Sequence, residues 1–129
     1  MVDTLPAGLR QGGVTTMSIS LLAGGPLTGF NPSFVTATGV AAWNFDTGSA
    51  NAYTIPAGDT LRVVYRVTAD ADLGPGLTLT NTAQAALYYS FDDEAVPANG
   101  NAADREVYGP TNMAQQTLTT PLPGGLLKQ

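Results

Sequence analysis

The chain has no cysteine, no histidine and a single lysine, Lys128, in its 129 residues. Each absence removes chemistry. Without cysteine there is no disulfide, no thiolate metal site and no cysteine nucleophile. Without histidine there is no imidazole general base, no triad of the Ser-His-Asp type and no imidazole ligand for a metal. A lone lysine so near the end leaves no residue for a phosphate-cradling loop or a buried Schiff base. Charge is also scarce. Asp, Glu, Lys and Arg make up 12% of the residues, against about a quarter in an average domain. Ten acidic and five basic residues leave a net charge of −5, the wrong sign for a nucleic-acid footprint. No apolar run approaches the roughly 20 residues of a membrane helix. Met1 to Pro6 lacks the basic and apolar regions of a signal peptide, and zero cysteine leaves the redox compartment open.

The residues that are present fit a folded domain. Hydrophobic residues make up 43%, and a chain of this length buries roughly two thirds of its extended surface. Fifteen glycines and nine prolines interrupt every stretch, so no segment sustains a helical period of about 3.6 residues. Short alternating runs recur instead. Val14–Leu22 places Thr15, Met17, Ile19 and Leu21 on one face and Thr16, Ser18 and Ser20 on the other. Val40–Phe45 groups Ala41, Trp43 and Phe45. Thr60–Ala69 is the clearest strand. Leu61, Val63, Tyr65, Val67 and Ala69 form its inward row, and Arg62 and Arg66 stand in solvent. Leu77–Phe91 reads as one long strand with Leu77, Leu79, Ala83, Ala85, Leu87, Tyr89 and Phe91 inward. Met113–Thr120 is a weaker last strand.

Turn chemistry separates these runs. Pro56-Ala57-Gly58-Asp59 combines a proline that pre-sets φ with a glycine free to take a positive one. Asp72–Gly76 is a Gly-Pro-Gly link, and Asn99-Gly100 is a strong turn dipeptide. Short strands with turns about every ten residues predict an all-β Greek-key sandwich. Ile19, Trp43, Phe45, Leu61, Val63, Tyr65, Val67, Leu79, Leu87 and Phe91 are its expected core. Residues 1–120 read as a single domain, and 121–129, beginning Pro121-Leu122-Pro123-Gly124-Gly125, as a linker.

Four segments resemble, in order, a bacterial surface-protein repeat family. Asp3-Thr4-Leu5-Pro6-Ala7-Gly8-Leu9 looks like its "DTLPAGL" segment, and Trp43-Asn44-Phe45 like its mid-domain aromatic strand. Thr54 to Leu61 resembles its proline–glycine turn into the next strand. Leu79-Thr80-Asn81-Thr82-Ala83 resembles its "LTNTA" strand. The resemblance covers about residues 2–120. It implies an immunoglobulin-like fold, tandem neighbours in the same polypeptide, and a cell-surface or extracellular setting in adhesins and envelope proteins. Such repeats open with a strand pair ahead of the first of these segments. The chain therefore reads as a piece of a longer protein whose residues Leu126–Gln129 begin a following repeat. Open strand edges around the segment after Met113 then predict a possible edge-strand homodimer, or a tail folded back along the edge. Related domains carry an internal Lys–Asn isopeptide bond, which needs a core lysine; Lys128 in the tail predicts that this domain lacks it.

Chemistry-bearing residues are few. Asp92, Asp93 and Glu94, followed by Asn99, Asn101, Asp104 and Glu106, offer the oxygen ligands that calcium takes. The spacing is not that of an EF-hand, so calcium is the alternative to a solvated acidic loop. As an acid–base pair Asp92 and Asp93 do not converge, because adjacent strand residues face opposite ways. No nucleophile has a base beside it, and no enzyme is expected. Asn81 falls on an inward, otherwise apolar face, which favours a structural amide bonded to backbone over a ligand contact. Trp43 reads as a core anchor rather than a sugar platform. Tyr88, facing outward, and Tyr89 are the aromatic candidates for a surface contact. The only Asn-x-Ser/Thr, Asn31-Pro32-Ser33, is blocked by its proline. Two classes of role remain open: a structural or adhesive repeat module with no cofactor, and a module that binds a surface glycan or protein. Neither inserts into a membrane.

Overall fold

The computed structural model describes residues 1–45, 55–90 and 106–122. Among them the chain is all-β, with no helix. Ten strands form antiparallel sheets: β1 (Val2–Thr4), β2 (Val14–Leu21), β3 (Gly25–Leu27), β4 (Ser33–Val35), β5 (Val40–Ala42), β6 (Leu61–Val67), β7 (Thr78–Gln84), β8 (Tyr88–Tyr89), β9 (Val107–Tyr108) and β10 (Ala114–Thr119). One sheet has the order β10-β7-β1-β5-β4, a second β3-β2-β6, and β8-β9 is a two-stranded sheet of its own.

The two larger sheets share one core. Ile19 from β2, Ala41 from β5, Trp43 and Phe30 are buried together, and Val14, Leu27, Phe34, Phe45, Leu61, Val63 and Tyr65 pack around them. The arrangement is consistent with a β-sandwich. Trp43 is 2% exposed. Its indole Nε1 donates to Thr16 Oγ1 at 3.0 Å, and its ring lies 5.2 Å from that of Tyr65. A buried Trp needs such a partner for its N–H, and a threonine in the inward row of β2 supplies it. Phe30 reaches the core from a loop and meets Phe45 at 5.0 Å.

The strand β1 is only three residues long, yet it is paired on both sides. Val2 to Thr4 runs against Ala42 to Val40 of β5 and against Gln84 to Thr82 of β7. Being short and central, it depends on tertiary pairing and not on its own propensity. The segment after it is pinned by Gly39. Leu5 N–H donates to Gly39 O at 2.9 Å, and Arg10 Nε donates to Leu5 O at 3.0 Å. Gly39 has φ of 73°, and any Cβ there would run into the Leu5 carbonyl oxygen and the Arg10 guanidinium. Glycine is therefore required both by conformation and by space.

The strands differ from their sequence pattern at several places. Val14–Leu21 does not alternate evenly, because a β-bulge at Met17 shifts its register against β6. Before the bulge Val14 and Thr16 oppose Val67 and Tyr65; after it Ile19 and Leu21 oppose Val63 and Leu61. The inward row is thus Val14, Thr16, Ile19 and Leu21, and Thr15 and Met17 face solvent. An inserted residue reverses the phase of every side chain beyond it. The long strand expected over Leu77–Phe91 is interrupted after Gln84. Ala85 N–H donates to Thr111 Oγ1 at 3.0 Å, and Thr111 N–H to Ala85 O at 2.9 Å. The pairing slips by one residue across this break: Ala83 opposes Ala114, whereas Tyr88 opposes Tyr108. Leu87 consequently leaves the core and is 55% exposed. Leu77 lies before the first residue of β7 and is exposed, as is Ala69 beyond β6. Phe91 lies outside the described residues. Leu5 and Phe30, both in connections, are core residues that alternation did not reveal.

Replacing Trp43 by alanine is expected to cost roughly 3–5 kcal/mol, the range for deleting a large buried aromatic. Urea unfolding measures it; a loss below about 1 kcal/mol would contradict this packing.

Candidate functional site

Two groupings of polar and aromatic side chains stand out. The first is internal. Asp3 sits at the middle of β1, facing the second sheet, and is only 2% exposed. Tyr65 Oη on β6 donates to Asp3 Oδ2 at 2.7 Å. Asn81 Nδ2 on β7 donates to the same oxygen at 3.0 Å and to Tyr65 Oη at 3.2 Å. One carboxylate oxygen thus links three strands and both large sheets. Asp3 Oδ1 and Asn81 Oδ1 are buried and have no hydrogen-bond partner among the described residues. Burial, reinforced by the hydrogen bond to Asp3 and its negative charge, pushes the Tyr65 phenol up to about 12. Asn81 faces inward, as the alternation of its strand required, but its amide bonds side chains and not neighbouring backbone. Asp3 carried no functional reading beyond its place in a motif. The signal available was its position between Val2 and Thr4 in a strand-like triplet, which puts it on the opposite face from both.

The second grouping is external. The sheet β8-β9 forms an arm beyond the break that ends β7. Tyr88 and Tyr108 are directly opposed, and their rings stack at 5.2 Å with 21° between planes. Both are exposed, Tyr88 at 46% and Tyr108 at 39%, and Val107 beside them is 63% exposed. The Tyr108 hydroxyl donates to Glu106 Oε2, and this bond raises the Tyr108 phenol above its ordinary value. The arm is closed by Ser90 N–H donating to Glu106 O at 3.0 Å and Glu106 N–H to Ser90 Oγ at 2.9 Å. Tyr88 is outward as its strand position predicted; Tyr89 is half-buried. Tyr108 was not singled out by the sequence, because only the antiparallel pairing of β8 with β9 brings it opposite Tyr88.

Other expected site residues are not brought together by anything described. Asp92, Asp93, Glu94, Asn99, Asn101 and Asp104 all lie outside the described residues, between the two strands of the arm. Among the described residues no three acidic side chains converge on a point. Leu126–Gln129, with Lys128, also lie outside them. An open cleft lined by Ala23, Gly24 and Pro56–Asp59 is a loop junction. There Asp59 Oδ1 accepts from Ala23 N–H at 3.0 Å and Thr60 N–H at 2.7 Å, and these bonds hold its carboxyl below the usual range. Compared with known proteins, the chain matches no family, no curated protein and no solved structure.

The raised Tyr65 value predicts a pH dependence. The native state favours the protonated phenol, so its contribution is complete below pH about 10, the unfolded value. It is lost as pH rises toward about 12, since the unfolded chain then ionises first. Tyr65→Phe should abolish this alkaline loss of stability. At neutral pH it should cost about 1–3 kcal/mol by taking a donor from a buried carboxylate. Urea midpoints measured from pH 8 to 12 check both; identical alkaline slopes for the two proteins would refute the assignment.

Proposed function

We propose that this chain is a non-catalytic structural or adhesive repeat module of a larger bacterial cell-surface or secreted protein, with an immunoglobulin-like Greek-key sandwich fold. The fold reading is supported by the way successive strands cross between sheets. The chain visits the five-stranded sheet with β1, the other with β2 and β3, the first again with β4 and β5, then β6 opposite and β7 back. The adhesive part of this reading is supported by one observation above all, the exposed tyrosine pair on the β8-β9 arm. An aromatic pair outside the core gains nothing from core burial, and tyrosine offers both an apolar face and a hydroxyl to a partner. Four of the described carboxylates serve as structural acceptors, among them Asp3 in the core, Asp59 in a loop and Glu106 on the arm. Asp70 Oδ1 likewise accepts from Gln11 N–H at 2.9 Å.

The arm also favours the second reading, a module that binds a glycan or a protein. Stacked tyrosines beside Glu106 present a flat apolar surface with an acceptor at its rim, which suits the faces and hydroxyls of a sugar ring or an aromatic-rich peptide. The two readings separate on an array of glycans and extracellular proteins probed with the intact chain. A specific hit is expected to fall about tenfold or more, about 1.4 kcal/mol, in the Tyr88→Ala/Tyr108→Ala double variant. Its melting temperature should barely change, because exposed substitutions shift stability by only about 0.5 kcal/mol. Silence across the array leaves the structural reading alone. Turnover of any hydrolase substrate panel would overturn the non-catalytic reading.

A further inference from the structure

The two main sheets are unequal, five strands against three. Tyr65 on β6 reaches Asp3 on β1 and Asn81 on β7, so β6 lies over the β1–β7 part of the larger sheet. On one side β6 pairs with β2; among the described strands nothing pairs with its other side. Beyond β7 lies β10. Directly opposed residues of antiparallel strands project to the same face. Leu118 opposes Leu79, Gln116 opposes Asn81, and Ala114 opposes Ala83. Leu79 and Asn81 face the core, so Ala114, Gln116 and Leu118 share that face. All three are nevertheless exposed, Leu118 at 62%. Among the described residues, a core-facing row with a leucine in it is left exposed beside the strand edge of β6 that no described strand pairs.

We propose that this groove accepts one further β-strand from a partner polypeptide, apolar on its inward side and acidic on its outward side. The open edge of β6 supplies the main-chain donors and acceptors, the mode of recognition known as β-augmentation. The row Ala114, Gln116, Leu118 supplies the floor, which calls for apolar side chains above it. The outward character is set by charge. Arg62 and Arg66 stand exposed on the solvent face of β6, and their cross-strand neighbours on β2 are the neutral Ser20 and Thr15. A strand added on the other side would sit directly against these two guanidinia, and opposite charges across a strand pair are favourable. The same argument disfavours a second copy of the chain, since β6 paired with β6 would set arginine against arginine. This strand-accepting groove is independent of the tyrosine arm and does not rest on the adhesive reading.

The test uses the intact chain and two synthetic peptides of about nine residues, long enough for one strand. Both have valine at alternate positions. One carries glutamate at two outward positions four residues apart, matching the spacing of Arg62 and Arg66; the other carries lysine there. Fluorescence anisotropy should show the glutamate peptide binding at least about tenfold more tightly, with the difference shrinking at high salt. Bound peptide should slow amide exchange in Leu61–Val67. Arg62→Glu/Arg66→Glu should invert the preference between peptides, and Leu118→Glu should weaken both. Melting curves of these exposed-site variants confirm that they fold. Equal affinities with no inversion would overturn the proposal, as would protection that appears elsewhere than β6. Absence of binding by either peptide at millimolar concentration overturns it as well. A concentration-dependent dimer of the free chain that Leu118→Glu disrupts would make a second copy the occupant, and the acidic partner strand would be wrong.

Discussion

One buried carboxylate organises this fold. Asp3 sits at the centre of the larger sheet and accepts hydrogen bonds from Tyr65 across the core and from Asn81 on the adjacent strand. Taking an ion out of water costs several kcal/mol, offset only where donors surround it. That constraint is directional, unlike the apolar contacts around Trp43, which tolerate sliding. A slip of one residue in β1 would turn Asp3 to the opposite face and leave Tyr65 and Asn81 without their acceptor. The cluster thus fixes the register of a three-residue strand too short to fix its own. It also sets the lateral position of β6 over β1 and β7.

That position makes the body asymmetric. Where β2 and β6 lie over β5 and β1, the core is closed by Ile19, Ala41, Trp43 and Val63. Beyond β7 no described strand lies above β10. The exposure of Leu118 and the open side of β6 are two aspects of one geometric fact, that three strands cannot span five. The break after Gln84 has a related effect at the other end of the same strand pair. Once Ala85 bonds to Thr111, the one-residue slip puts Tyr88 and Tyr108 opposite each other outside the core. Both external features therefore originate in the β7–β10 strand pair. One lies on its inner face and the other beyond its break.

The strands with strong alternation were legible. Thr60–Ala69 contains β6 with its inward row Leu61, Val63, Tyr65 and Val67, and Arg62 and Arg66 stand outside as their charge demands. Met113–Thr120 contains β10. Trp43 as an anchor follows from its size and its place between Ala41 and Phe45. The failures are equally specific. The bulge at Met17 leaves no mark in the pattern, since Thr15-Thr16-Met17-Ser18 alternates acceptably in either phase. Leu77–Phe91 alternates without a glycine or proline where the strand breaks, because the interruption is imposed by Thr111, in the segment between β9 and β10. The strands β1, β3 and β4 are only three residues long and carry too few residues for any period. Of the site, Asn81 and Tyr88 could be placed on a face from the sequence, but their partners Asp3, Tyr65 and Tyr108 could not be assigned to them.

By itself the sequence determined the class of structure and the chemistry it lacks. Absent thiols and imidazoles are facts of composition, and the density of glycine and proline forbids long helices whatever the packing. The exposed face of a strand with two arginines is likewise fixed locally, by the cost of burying charge. Only the tertiary structure decided which residues meet. Asp3 and Asn81 are far apart in sequence and are joined because β1 and β7 are sheet neighbours. Tyr88 and Tyr108 stack because a bond between Ala85 and Thr111 shifts their pairing. The position of β6 over β1 and β7 is fixed by the bond from Tyr65 to Asp3, and among the described strands only β2 pairs with it. Local alternation specifies which side of a strand is apolar. Which strand lies beside it, and whether anything covers it, depends on pairings between distant segments, and those are settled by the geometry of the whole.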